Sequence, residues 1–283
     1  MPDPTLDIRP LSGALGAEIT GADLSQPLDD AVFAEIHLAF LDHQVIVFRD
    51  QIITPQQQLA FARRFGTPGV YPFIAGLPEA PEVTEILKTE TDRINFGGYW
   101  HSDTTYMEKP ALGTVLYAHE VPAAGGDTQF ANLYLAFGSL SDGMKDLLTT
   151  LRAVNSSAQK DRGGRARKMI AINGMKDGFR EEAEELEAEH PVVLTHPETG
   201  RQSLYLNRSH TVRFAGWTEE ESAPLLRFLC GHAIRPEFTC RVRWAPGTLV
   251  VWDNRCTLHQ AVNDYAGQRR RMHRITIDGD RPF

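Results

Sequence analysis

The chain is short of cysteine, of basic charge and of long apolar runs, and each shortage removes a class of protein. Only Cys230, Cys240 and Cys256 occur in 283 residues. An odd number with no CxxC pair makes neither a disulfide framework nor a thiolate zinc site. Lysine and arginine number 29 against 37 aspartates and glutamates, a net charge of −8. That balance speaks against nucleic acid and anionic membranes as partners, because both are held by a basic face. No apolar run approaches the roughly 18 residues that a bilayer span needs. The opening Met1-Pro-Asp-Pro-Thr-Leu-Asp7 has neither the basic nor the apolar region of a secretory signal, so a cytoplasmic protein is expected. No repeat is visible that would build a solenoid or a propeller. With 42% hydrophobic and 23% charged residues, the composition supports a sizeable core. Length alone hints at two domains, at about 150 residues each, yet a single large β domain also reaches this size.

What is present is a β texture interrupted by a few helices. Residues 29–41 place Val32, Phe33, Ile36 and Phe40 at helical spacing, and Val45-Ile-Val-Phe48 reads as a buried strand. Thr54-Pro-Gln-Gln57 and Thr218 with Glu221 are capping boxes that predict helix starts. Residues 133–150 read as one further helix. From about residue 82 onward, short strand candidates cover 83–88, 111–119, 129–131, 192–196, 203–207, 240–244, 248–252 and 272–277. Many short strands with turn chemistry between them predict a mainly β sandwich or barrel with flanking helices. Residues 156–190 stand apart, basic around Lys160, Arg162, Arg165, Arg167 and Lys168, then acidic from Arg180. Their plain reading is a solvated face, and the functional one a lid or insert over a site.

Ten histidines raise the question of a site. In an extended Trp100-His-Ser-Asp103, His101 and Asp103 project to one side, about 6–7 Å apart at Cα, where they can share a metal. Alone, an HxD is a weak signal. Near the C-terminus, Val250-Val-Trp-Asp-Asn-Arg-Cys-Thr-Leu-His259 runs from a buried strand through a polar turn to a histidine. That third ligand would complete a 2-His-1-carboxylate face with open positions, the set associated with non-haem Fe(II) oxygenases. Read as a strand, Gln268–Ile277 places Arg270, Met272, Arg274 and Thr276 on one face and Arg269, Arg271 and His273 on the other. Buried guanidinium groups call for anions, and planar carboxylates or sulfonates suit them. His37, His43, His119, His190, His196 and His232 lack ligand spacing and read as structural or solvated.

The segments WHSDTTY (100–106), GGDTQFAN (125–132), LYLNRSHTVRF (204–214), WDNRCTLHQAVNDY (252–265) and QRRRMHRITIDGDRPF (268–283) resemble the taurine/alkylsulfonate dioxygenase family, whose members depend on Fe(II) and 2-oxoglutarate. The resemblance runs over most of the chain and fails at 156–190. It implies one dioxygenase domain over 1–283 with a double-stranded β-helix, or jelly-roll, core. It also implies Fe(II), 2-oxoglutarate and O2 as reactants and a homo-oligomer, dimer or tetramer. Carried over by position, His101, Asp103 and His259 would be the iron ligands and the catalytic centre. Arg270 and Thr128 would bind the remote carboxylate of 2-oxoglutarate, and Arg274 the acidic group of a small anionic organic substrate. Tyr71 and His210 are further pocket candidates.

Three positions depart from the taurine-handling pattern. Pro68 and Gly97 stand where those members carry a histidine and an asparagine, Asn95 lies two residues too early, and His210 replaces a pocket phenylalanine. A site without polar partners for an ammonium group binds taurine poorly, so an alkyl sulfonate, alkyl sulfate or carboxylic acid is expected instead. Two other readings share these residues: a biosynthetic hydroxylase without heteroatom cleavage, and a non-catalytic metal- or ligand-binding jelly roll. Release of sulfite, sulfate or aldehyde separates the first, and formation of succinate the second.

Overall fold

The computed structural model describes residues 6–158, 171–180 and 184–283. An eight-stranded sheet runs in the order Asp7–Pro10, Ala17–Thr20, Val45–Phe48, Leu249–Asp253, Gly113–Glu120 and Arg270–Ile277, with Pro68–Gly69 and Thr84–Lys88 on the far side of the last strand. Its pairs are antiparallel except for the parallel contact of Ala17–Thr20 with Val45–Phe48. A smaller antiparallel sheet orders Thr239–Val242, Thr128–Asn132 and Thr257–Ala261.

Period-two alternation explains how the two sheets stack. Val45, Val47, Leu116, Ala118, Val250, Trp252 and Met272 point from the large sheet into a cluster shared with Phe130, Cys240 and Val242 of the small one. Their neighbours Ile46, Phe48, Val115, Leu249, Val251, Ile275 and Ile277 face the other way, onto the helices Asp30–His43 and Pro55–Ala62. Beyond the small sheet, Ala131 and Leu258 meet the helices Leu133–Gly138, Asp142–Thr149 and Glu219–Ala233. Two antiparallel sheets face to face between helical layers make a jelly roll, the expected architecture. Both capping boxes form, Thr54 with Gln57 and Thr218 with Glu221.

Three features differ from the sequence reading. The helix expected over 133–150 is two helices, because Ser141 caps a new start by accepting from the Met144 amide. The strands Arg152–Ser156, Glu187–Pro191 and Thr211–Phe214 form a separate sheet that apolar patterning does not flag, since their burial is irregular. The segment 257–261, read as turn and histidine, is a strand of the small sheet. Within the 156–190 stretch, residues 159–170, which carry its basic half, and 181–183 of its acidic half lie outside the described residues. Ile172 and Met175 are buried in the inter-sheet cluster with Tyr71 and Phe73. No described helix is long and apolar enough to cross a membrane.

Candidate active site

The space between the sheets brings His101, Asp103 and His259 together, with one donor atom from each within 4.8 Å of the others. His259 sits in the strand Thr257–Ala261. His101 is bridged to it by reciprocal backbone hydrogen bonds: the His101 amide donates to the His259 carbonyl at 3.0 Å, and the His259 amide donates back at 2.8 Å. Their rings lie 4.1 Å apart at the centroids. Nε2 of His101 is 3.7 Å from Oδ1 of Asp103, and Nε2 of His259 is 3.9 Å from Oδ2. Nδ1 of His101 donates to the Tyr99 carbonyl at 2.7 Å, so Nε2 is the unprotonated nitrogen, the tautomer a metal ligand needs. Gly97 permits this packing. It has φ +74°, and a Cβ there would stand 3.3 Å from Cε1 of the His101 ring.

Protonation states suit a cation. Burial opposes ionisation of Asp103, but Arg274, the two imidazoles and a hydrogen bond from Thr114 hold its carboxyl well below the usual carboxylate range. Burial, reinforced by His101, pushes His259 well below the ordinary histidine range, so it is neutral. Two imidazole nitrogens and one carboxylate on one face, without thiolates, fit a divalent iron better than a structural zinc. Thr104, directly after Asp103, adopts φ +53°, a strained conformation for a β-branched residue, and its hydroxyl accepts from the Ala111 amide at 2.8 Å.

Asn254 ties these pieces together and escaped sequence reading. Its Nδ2 donates to Thr114 Oγ1 at 3.1 Å, and Thr114 donates to Asp103 Oδ2 at 2.7 Å. Its Oδ1 accepts from Trp252 Nε1 at 3.0 Å, and its carbonyl accepts from Ser102 at 2.6 Å. Asn254→Ala leaves Thr114 free to turn away from the carboxylate. Metal affinity should fall by about 10–100-fold, the usual effect of losing such support. A competitive chelator titration measures it, and unchanged affinity would show that Asp103 needs no help in orienting.

Two arginines project inward from Arg270–Ile277, as the alternation predicted. Arg270 is 6% exposed, and its Nε and Nη2 have no hydrogen-bond partner among the described residues. It lies 5.5 Å from the Trp244 ring, whose Nε1 donates to Thr128 Oγ1 at 3.0 Å. Because that oxygen accepts, the Thr128 hydroxyl proton is available to an incoming acceptor. Thr128 is two residues along the strand from Phe130, which pairs with His259, so it lies about 7 Å from the ligand position. A buried guanidinium lacking an anion, beside a hydroxyl donor and this close to the metal face, fits the remote carboxylate of a short 2-oxo diacid.

Arg274 departs from the expectation that its anion comes only from outside. Its Nη2 pairs with Asp103 Oδ1 at 2.7 Å, while Nη1 is buried and has no partner among the described residues. Its guanidinium lies 4.9 Å from the Tyr71 ring and 5.8 Å from that of Phe96. Tyr71 reaches Tyr106 at 3.4 Å between hydroxyls. His210 stacks on Tyr106 at 4.9 Å and on His101 at 6.0 Å. Tyr71 and His210 therefore share one wall with Arg274 and the histidine pair. Tyr106 belongs to that wall too, and only its place in WHSDTTY could have flagged it.

Several of the remaining histidines have structural partners. Nε2 of His190 donates to the Met107 carbonyl at 2.9 Å, and Nε2 of His232 to the Ala136 carbonyl at 2.8 Å. His273 packs its ring 3.9 Å from that of His119. One more metal-like group, His196 with Asp253 and Cys256, is already satisfied. Nδ1 of His196 accepts two backbone amides, Nε2 donates to Asp253, and Arg255 takes both carboxylate oxygens.

Comparison with known proteins agrees with this geometry. Residues 7–276 match the family described as taurine catabolism dioxygenase TauD, TfdA. An alkylsulfatase of Acinetobacter baylyi is 36% identical, the match covering 99% of this chain and 87% of that protein. An (S)-phenoxypropionate/alpha-ketoglutarate-dioxygenase of Sphingobium herbicidovorans is 37% identical over 98% of this chain and 96% of its own. The crystal structure of a taurine dioxygenase from Burkholderia xenovorans superposes with a TM-score of 0.83 at 35% identity, covering 99% of this chain and 93% of the other. A jelly roll carrying this ligand face, matched along nearly its whole length, places the chain in the TauD/TfdA family of dioxygenases that use Fe(II), 2-oxoglutarate and O2.

Proposed function

We propose that His101, Asp103 and His259 hold the iron, that Arg270 and Thr128 hold the remote carboxylate of 2-oxoglutarate, and that Arg274 holds the anionic group of a small organic substrate between Tyr71 and His210. Iron in that position supplies dioxygen chemistry: 2-oxoglutarate, O2 and a substrate C–H become succinate, CO2 and the hydroxylated product. The chain's part is placement. Arg274 can keep Nη2 on Asp103 and offer Nη1 to the substrate anion, so a single side chain would set the distance between that anion and the ligand face. Tyr71, Tyr106 and Phe96 are apolar surfaces around it, suited to an alkyl or aryl body and to excluding water.

The observation that carries this reading is the pair of buried inward arginines flanking the ligand cluster from one strand. The relatives named above act on an alkyl sulfate and on phenoxypropionate by their descriptions, and both would bring an anion on an apolar body. We extend that substrate class to this chain. If the hydroxylated carbon bears a sulfate ester, the product collapses to an aldehyde and sulfate. Taurine fits badly, because its ammonium would lie near Arg274, and Asn95 commits its Nδ2 to the Ala261 carbonyl at 3.0 Å. A panel of alkyl sulfates, alkyl sulfonates, 2-aryloxy acids and taurine, scored by succinate formation, should rank taurine last. Taurine turnover at the level of the best alkyl sulfate would refute the substrate assignment.

The reading takes 1–283 as one catalytic domain of a cytoplasmic homo-oligomer, with the described residues around Ile172 and Met175 covering the pocket. Burial of Ile172 and Met175 beside Tyr71 and Phe73 supports that cover. Sedimentation analysis tests the assembly.

A further inference from the structure

Lys88 is a buried cation that nothing above uses. The strand Thr84–Lys88 alternates, with Thr84, Ile86 and Lys88 buried and the residues between them half-exposed. In register these three stand opposite Arg274, Met272 and Arg270. Lys88 and Arg270 are therefore directly opposed on the same inward face, where Cβ atoms lie about 5 Å apart. Lys88 is 3% exposed, its Nζ has no hydrogen-bond partner among the described residues, and it lies 4.4 Å from the centre of the Tyr265 ring.

Two like charges opposed across a sheet repel, and a buried ammonium without an anion is unfavourable. The carboxylates that influence this pair are engaged elsewhere. Asp92 accepts from Thr89, Asn173 and Gly174, and Asp127 takes Arg241 at 2.6 Å. The local charge is thus in surplus by two cations at the end of the site where Arg270 and Thr128 stand. Tyr265 lies between them and the Gly125-Gly126 turn. Its ring carbons would stand 3.3 Å from a Cβ on Gly126, and its hydroxyl is influenced by both Arg270 and Asn95.

We propose that Lys88 is a second cationic holder of the cosubstrate's remote carboxylate, acting with Arg270 across the strand pair to select 2-oxo diacids over 2-oxo monoacids. The proposal rests on the assignment of that carboxylate to Arg270 and Thr128. An anion placed between the two cations relieves their repulsion, so the site gains more from a diacid than from a neutral analogue of the same length.

The test is anaerobic titration of the Fe(II)-loaded protein with 2-oxoglutarate and with 2-oxovalerate, which has a methyl in place of the remote carboxylate, following the absorbance of the iron-bound 2-oxo acid. Lys88→Met should raise the Kd for 2-oxoglutarate about ten- to a hundredfold, as expected for a lost charged hydrogen bond, and leave that for 2-oxovalerate unchanged. Lys88→Arg should restore most of the discrimination. Without ligand, Lys88→Met should melt at or above the temperature of the unaltered protein, because an unpaired buried charge has been removed. Equal weakening for both acids, no change for either, or a lower melting temperature overturns the proposal. Arg270→Met separates the two levels. Lost discrimination there with retained discrimination in Lys88→Met removes Lys88 alone, whereas no effect from Arg270→Met removes the carboxylate assignment itself.

Discussion

Alanine at His259 reduces 2-oxoglutarate-dependent succinate formation to background and leaves the fold intact. The side chain supplies one of three donors, and the other two cannot close a facial set without it. The strand survives, because the backbone exchange with His101 and the register against Thr128–Asn132 do not involve the imidazole. Buried Nδ1 of His259 has no partner, so removing the ring strands no hydrogen-bonding group. The expected measurements are absent turnover, loss of the 2-oxoglutarate-dependent absorbance at iron, and an unchanged circular dichroism spectrum. Turnover comparable to that of the unaltered protein would take His259 out of the ligand set.

Alanine at Asp253 has the opposite profile: an intact ligand set on a much weaker protein. Asp253 is 1% exposed and binds Arg255 through both oxygens, at 2.8 Å from Nε and 2.7 Å from Nη2, with His196 donating at 3.0 Å. Arg255 continues to Glu198 at 2.7 Å, and Glu198 to His37 at 2.7 Å, so the network clamps the strand Leu249–Asp253 to the loop after Val193–Thr195 and to the first helix. Removing the carboxylate leaves Nε and Nη2 of the buried Arg255 without acceptors, with half-buried Glu198 the one remaining anion beside it, a loss of about 2–3 kcal/mol. The urea midpoint at neutral pH should drop accordingly, and an unchanged midpoint would show that the network contributes nothing. Acid gives a second check. Burial opposes ionisation of Asp253, yet Arg255 and His196 hold its carboxyl at about 2. The folded value lies below that of the unfolded chain, so the stabilisation is complete above about pH 4 and fades as pH falls through about 2. The difference between the two proteins should narrow over that window.

Legibility in the sequence followed the range of the interactions. His101 and Asp103 were visible because their spacing is local, and Arg270 and Arg274 because a strand's alternation is local too. His259 was reached less directly, as the histidine after a buried strand and polar turn that could complete the set, since nothing near it in sequence points to His101. The support around Asp103 was invisible for the same reason: Asn254 reads as an ordinary turn residue and Thr114 as one more strand position, until folding sets them 3.1 Å apart. Lys88 looked like a polar strand end, and only the register against Arg270 reveals its setting. The split of the third helix was within reach, since Ser141 is a good start signal after Gly138. The strands Arg152–Ser156 and Glu187–Pro191 were not, because their partners lie in segments without apolar rhythm.

The reciprocal backbone bond between His101 and His259 has a bearing on what bound iron does to stability. It joins segments 158 positions apart, and the chain between them builds most of the small sheet. Neither histidine can find the other until that sheet has closed, so an unfolded chain offers no more than the local His101–Asp103 pair. Metal held by the complete set therefore adds to global stability by linkage. Divalent iron should raise the unfolding midpoint as its free concentration rises, whereas destabilised variants remote from the site should start from a lower midpoint and show the same metal-dependent rise.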